Sequence, residues 1–419
     1  MNTDAPTPLL SDDLLVEHLS ARHPPLRLAV VTETYPPEIN GVARTLARLV
    51  HSLQDLGHDV QLIRPRQPPD GRHITQQEPL EQILVRGLPI PRYPHLRMGL
   101  PAKNALVKHW SLQRPDVVHI ATQGPLGWSA LQAARKLRLP ISTDFRTNFD
   151  AYSKHYGIAW LQRPIAAYLR KFHNLADCTT VPTEALRAAL VANRFERLKV
   201  IARGVDVASF NPSFRDAALR ASWGAGEQDC VALYVGRLAA EKNLGLLARA
   251  FQSMKAANPR VRLVVVGDGP AREELQANCF DAKLCGSQSG QALARHYASA
   301  DCFVFPSLTE TYGNVTPEAL ASGLAVLAFD HAAASDLICS GRNGLLAPVG
   351  DEASFLRMAV HLATDPTLIQ QVRQQAVTAV AERSWSQIAS QVETMWIDLL
   401  KSRLGSHPEK YARTPVSFA

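Results

Sequence analysis

Apolar positions along this chain come in short β-rich runs separated by longer stretches with helical spacing. In the first half the runs read LRLAVVTE (26–33), HDVQLIRP (58–65), QILVRGLP (82–89), DVVHIAT (116–122), ISTDF (141–145), DCTTVPT (177–183) and LKVIARG (198–204). Between the first two, Leu46, Leu49, Val50, Leu53 and Leu56 recur at helical spacing, and Gly57 stands where a helix would stop. Strands alternating with helices predict a parallel sheet wrapped by helices.

The pattern then restarts. CVALYVGRL (230–238), VRLVVVGDG (261–269), DCFVFPS (301–307), LAVLAFD (324–330) and GLLAP (344–348) read as a second set of strands. The segment VDVASFNPSFR before them lacks periodicity and holds Pro212, as a linker would. The expectation is an α/β chain of two Rossmann-like, doubly wound domains, 26–204 and 205–383, whose strand ends face a central cleft. Residues 384–404 are predicted as a terminal helix that packs back on the first domain. Residues 1–25 and 405–419 are expected to be flexible.

Composition narrows the class. At 419 residues, 46% hydrophobic and 20% charged, this is the make-up of a soluble globular protein. No apolar run approaches the ~18 residues that span a bilayer. Asp4, Asp12, Asp13 and Glu17 stand where a signal peptide would carry positive charge, so a cytoplasmic location is expected. Six cysteines form no C-x-x-C pair, which argues against structural zinc or a disulfide framework; Cys178 and Cys302, in matching Ala-Asp-Cys contexts, read as buried thiols. The net charge of +7 sits in the first 200 residues, which carry +8 against −1 for the remainder. Between Gln82 and Pro115 there are six cations and no acid, a stripe suited to an anionic membrane surface or phosphorylated acceptor, or to plain solvation. No nucleic-acid-binding module is visible.

The chemistry concentrates in FVFPSLTETYGNVTPEALASGLAV. Glu310 and Glu318 are spaced E-x7-E across a strand, a loop and a helix start. Thr316-Pro317-Glu318 reads as an N-cap, a proline at N1 and an acid in the first turn, which accounts for Glu318 by helix stabilisation alone. It does not account for Glu310 or Gly313. Backbone N–H groups of Thr311, Tyr312 and Gly313 are candidates for an anion or a sugar hydroxyl. Upstream, GRLAAEKN offers Arg237 and Lys242 just after an apolar strand; Arg grips phosphate bidentately and Lys adds a point charge. Two cations and two carboxylates on strand-end loops suit a nucleoside-diphosphate sugar. VVVGDGPAREEL fails as a dinucleotide fingerprint, because Arg272 replaces the third glycine.

In the first half, TETYPPEINGVART places Asn40-Gly41 at a helix start, where Gly41 would allow close backbone approach or serve an ordinary turn. His119 and Gly124 fall at another strand end, lining the cleft or filling the core. IAWLQRPIAAYLRKFH (158–173) alternates apolar and basic residues, for packing on the first domain or for a membrane surface.

GRLAAEKN, ADCFVFPSLTETYGNVTPEALASGLAV and NGLLAP resemble the donor-binding half of retaining glycosyltransferases of family 4, which have the GT-B fold. ETYPPEINGVART, PDVVHIATQGPLGWSAL and FRTNFDAYSKHYG are similar to the acceptor half of its lipid-directed branch, which includes GDP-mannose-dependent α-mannosyltransferases and sulfoquinovosyl transferases. The resemblance implies that Arg237 and Lys242 bind the donor diphosphate, Glu318 the ribose and Glu310 the transferred sugar. It implies that Gly41 shapes the loop near the diphosphate, and that Asn40, His119, Asn148 and His155 lie on the acceptor side. It further implies a nucleotide-sugar co-substrate, no metal, a lipid or glycan acceptor, and peripheral residence on the inner face of the cell membrane.

One departure stands out: relatives carry His-Thr, with the His on the donor sugar, where this chain has Arg146-Thr147. An altered sugar preference, substitution by His155, or a weakened enzyme would each follow. Competing readings are a catalytically silent homologue acting as a scaffold and another GT-B enzyme such as an epimerase or phosphorylase.

Overall fold

A computed structural model of the chain describes residues 24–38, 40–68, 80–90, 93–146 and 162–406. The first half contributes β1 (Arg27–Val31), β2 (Asp59–Pro65), β3 (Glu81–Val85), β4 (Gly87–Ile90), β5 (Tyr93–Gly99), β6 (Val117–Ile120), β7 (Ile141–Asp144), β8 (Cys178–Val181) and β9 (Leu198–Val200). The second contributes β10 (Val231–Val235), β11 (Arg262–Val266), β12 (Lys283–Leu284), β13 (Cys302–Phe305), β14 (Ala325–Phe329) and β15 (Leu345–Ala347). One parallel sheet of seven strands runs β3-β2-β1-β6-β7-β8-β9, and a second of six runs β12-β11-β10-β13-β14-β15. Helices cover both, so β10, β13 and β14 are buried along their whole length, as their near-continuous apolar runs require. Strand order reverses between β1 and β6 in the first sheet and between β10 and β13 in the second. At those points the loops leaving the two central strands diverge and open a crevice.

Two departures from the sequence pattern have local causes. The run 82–89 is not one strand. β2 ends at Pro65, which pairs with Val85, so the sheet offers no partner beyond that residue. The chain turns away at Arg86, and β4 pairs antiparallel with β5 as a separate ribbon. The GDG turn is also steric in origin. Gly267 has φ +143°, and a Cβ there would lie 1.9 Å from the carbonyl oxygen of Gly236, so the loops leaving β10 and β11 touch backbone to backbone.

The last helix, Trp385–Ser406, belongs to the first sheet's core. Ile388, Val392, Met395 and Trp396 are buried against Leu46, Leu49, Val50 and Leu53 of the helix Gly41–Asp55. Trp396 is fully enclosed; its indole Nε1 donates to Ser142 Oγ at 2.8 Å and its ring meets the edge of His119. The chain therefore crosses between the halves twice. The crossings touch where Val205 bridges Ser384 and its N–H donates to the Arg383 carbonyl at 2.8 Å. Leu169, Phe172 and His173 of the helix Gln162–Asn174 are buried in the first half, whereas Arg163 and Lys171 face outward. Cys302 is buried, Cys178 is only partly so, and all six cysteines are free. Among the described residues no helix is long and apolar enough to cross a membrane.

Candidate active site

The second sheet's crevice is flanked by the loop after β10, which carries Arg237 and Lys242, and the loop after β13, which carries Glu310. These loops are forced together because β10 and β13 are neighbours. Lys242 ends a short 3-10 turn, Ala240–Lys242, and the next residue, Asn243, takes a left-handed conformation (φ 56°) that redirects the chain into the helix Leu244–Ala257. This turn aims the ammonium of Lys242 onto Glu310 Oε1, an oxygen that also accepts from Ser307 Oγ at 2.9 Å. Arg237 pairs with Glu241, whose carboxylate is buried, while the guanidinium remains substantially exposed to the crevice. Beneath them lies Tyr234, whose hydroxyl donates to the Arg237 carbonyl at 3.3 Å. Burial, then the carboxylates of Glu310 and Glu241, hold that phenol far above its ordinary range, so it stays a neutral donor.

Gly313 has φ +86°, and a Cβ there would stand 3.3 Å from Glu310 Cγ; glycine at this position lets the loop fold back over the carboxylate. Tyr312 is buried and donates to the Arg203 carbonyl at 3.4 Å, while its own carbonyl accepts from Ala333 N–H. The following helix runs Val315–Ala321, which corrects the expected start: Asn314 is the N-cap, and Thr316 and Pro317 lie within the first turn. Proline is tolerated there because first-turn N–H groups have no helical acceptor. Asn314 does not cap its own helix. Its amide donates across the cleft to Thr45 Oγ1 at 3.1 Å.

Glu318 lies in the first turn, as its sequence position predicts, and it is buried. Its Oε1 lies 3.1 Å from Arg44 Nη2 of the other half, and Oε2 accepts from Tyr297 Oη at 3.0 Å. Burial raises the carboxyl above its ordinary pKa, with Arg44 and Tyr297 pulling the other way. Facing it, Asn40 caps the helix Gly41–Asp55 by accepting from Ala43 N–H at 2.8 Å, and a Cβ at Gly41 would point at Asn314 Nδ2, 3.7 Å away.

The matching crevice of the first sheet is already filled. Glu33 accepts from Leu126 N–H at 2.9 Å and from Gly99 N–H, occupying the N-terminus of the helix Pro125–Lys136. Burial raises its pKa, partly offset by these backbone donors. An anionic ligand therefore finds donors at the second crevice and a resident carboxylate at the first.

Two family models match this architecture in tandem: "Glycosyltransferase Family 4" over residues 39–209 and "Glycosyl transferases group 1" over 229–365. A GDP-mannose-dependent alpha-mannosyltransferase of Mycobacterium tuberculosis is 36% identical over 369 residues, 88% of this chain and 95% of that one. The chain is a family 4 glycosyltransferase. An alpha-monoglucosyldiacylglycerol synthase of Acholeplasma laidlawii is 28% identical, over 90% of this chain and 98% of its own. Anabaena Alr3699/HepE, solved with UDP, superposes with a TM-score of 0.71 at 17% identity, covering 89% and 100% of the two chains, and carries the same GT-B fold.

The transferase brings Arg237, Lys242, Glu310, Thr311, Tyr312 and Gly313 to one crevice, and sets Gly41, Asn40 and Glu318 across from one another. Asn148 and His155 lie outside the described residues. His119 and Arg146 go elsewhere. His119 is buried, its Nδ1 2.9 Å from Ser142 Oγ, and burial lowers its pKa to about 4. Arg146 is buried with Nη2 2.5 Å from Asp144 Oδ2. Asp144 is held below its ordinary pKa because Arg146 and Arg203 outweigh the larger opposing effect of burial. Arg44, Ser307, Tyr297, Asp144 and Arg203 were not singled out from sequence. Arg44, one turn after Gly41 on the same helix face, and Ser307, three residues before Glu310, carried a usable spacing signal; Tyr297 and Arg203 carried none. Among the described residues no three His, Cys, Asp or Glu side chains are grouped to hold a metal.

Proposed function

We propose that this transferase moves a hexosyl group, mannose first among candidates, from a nucleoside-diphosphate donor to a hydroxyl of a lipid or lipid-linked glycan. Configuration is retained and no metal takes part. The observation that carries the reading is Lys242 meeting Glu310 at the second sheet's crevice, with Arg237 beside them. In this reading Arg237 and Lys242 neutralise the diphosphate as negative charge grows on it, Glu310 orients the sugar, and Glu318 takes the ribose hydroxyls. The acceptor oxygen attacks the anomeric carbon from the face the diphosphate leaves. As that glycosidic bond breaks, the acceptor's proton passes to the departing phosphate oxygen. The mannose preference leans on the Mycobacterium tuberculosis relative and the lipid acceptor on the Acholeplasma laidlawii one, by their names. The basic first half suits docking on an anionic inner membrane face.

A panel of GDP-, UDP- and ADP-sugars, with membrane lipid present and nucleoside diphosphate release as readout, tests this. Release from one donor that Glu310→Ala abolishes and EDTA leaves intact supports the reading. Donor binding without release, over a broad acceptor set, transfers the case to a silent scaffold.

A further inference from the structure

Where both crossings of the chain meet the first sheet, beside Thr45 of the cleft, lies a cavity of about 30 Å³. His119, Asp144, Arg146 and Arg203 line it, and Trp385 and Ile388 roof it. Its size admits one or two species as large as water and excludes a sugar or a nucleotide.

The lining is unbalanced in charge. Arg146 and Arg203 are both buried to more than nine-tenths, and among the described residues Asp144 is the only carboxylate that lines the cavity with them. Asp144 offsets one cation, through the 2.5 Å contact with Arg146 Nη2. Among the described residues, Arg146 Nε and Nη1, Arg203 Nε and His119 Nε2 are sequestered from solvent with no hydrogen-bond partner. Buried donors are normally satisfied, and a buried cation normally has a counter-charge. A water molecule would supply an acceptor but leave the positive charge standing. Burial and then the neighbouring Arg146 lower Arg203 to about 10, which leaves it charged at neutral pH, whereas His119 is neutral there.

We propose that this cavity binds a small monovalent anion of the chloride class, held between Arg146 and Arg203 and countering the charge that Asp144 leaves uncompensated. The arginine at position 146 is then one wall of an ion site that ties the first sheet to the crossing segment 201–203 and to the last helix. Binding to the folded state alone would stabilise that junction.

The test uses the whole chain. Crystals soaked in sodium bromide should show an anomalous peak within hydrogen-bond reach of Arg146 and Arg203. In thermal unfolding at matched ionic strength, sodium chloride should raise Tm over sodium gluconate by about 2 °C for the native sequence and not for Arg146→Met. A bromide map with nothing in the cavity overturns the proposal, and so does an equal chloride effect in the variant.

Discussion

Arg44 Nη2 lies 3.1 Å from Glu318 Oε1, so the helix that begins at Gly41 in one half grips the carboxylate proposed to bind ribose in the other. The pair is asymmetric: Glu318 is buried, while the Arg44 side chain is 56% exposed. In that proposed role Glu318 offers both oxygens as strong acceptors only when ionised, and burial already raises its pKa against the pull of Arg44. Arg44→Ala removes that pull and moves the pKa further up. The acidic limb of the kcat/KM profile should therefore shift to higher pH, with the neutral plateau least affected. A limb that stays in place would disconnect Glu318 ionisation from donor capture.

Gly41 makes a second, steric prediction. Its backbone is ordinary helix, and a Cβ meets only Asn314 Nδ2 at 3.7 Å, so the fold does not need glycine there. The cleft does, if the diphosphate approaches the chain at this point. Gly41→Val should leave Tm within about 2 °C of native while raising the donor KM about tenfold or more. Equal damage to KM and Tm would make the glycine structural.

Asp301 anchors the second half away from the cleft. It accepts from Arg215 Nη2 at 2.7 Å, Arg220 Nη1 at 2.9 Å, Arg373 Nη1 at 3.1 Å and Val231 N–H at 2.9 Å. Removing one partner of a buried charge cluster strands the others. Asp301→Ala is expected to cost about 3–5 kcal/mol in urea unfolding, with KM for the donor unchanged in the folded fraction. A loss under about 1 kcal/mol would mean solvent replaces the carboxylate freely.

Acid sensitivity follows from two buried imidazoles. Burial lowers His119 to about 4 and His173 to about 3, while the unfolded chain titrates near 6.5. Below pH 6.5 the unfolded state takes up protons that the folded state refuses, so stability falls as pH drops through that window, by about 1.4 kcal/mol per unit for each group. The denaturation midpoint should decline from pH 6.5 toward pH 4, and His119→Gln should make the decline shallower. A midpoint flat over that range would show these rings charging without cost.

Strand alternation and the E-x7-E spacing were legible because each depends on residues close in sequence. What escaped depends on distance. The break at Arg86 is set by where β2 ends, more than twenty residues upstream, and no local propensity records it. Asn314 reads locally as loop and Thr316 as a cap. Yet Asn314 is drawn to Thr45, 269 positions away, and the helix starts earlier than its own residues suggest. Arg146 stands where the resemblance puts a sugar-contacting histidine, and its pairing with Asp144 and its burial depend on packing that its own segment does not record.

The enclosure of Trp396 by the first half has a consequence for how the protein is made. Until the final helix leaves the ribosome, Leu46, Leu49, Val50 and Leu53 have no cover on that side, and Ser142 Oγ lacks its indole donor. The second half, whose core needs nothing from the first, can mature while the earlier half is still waiting. The first half can complete its core only once the last helix has been made, and a nascent first half is the stage at which a chaperone would find exposed apolar surface.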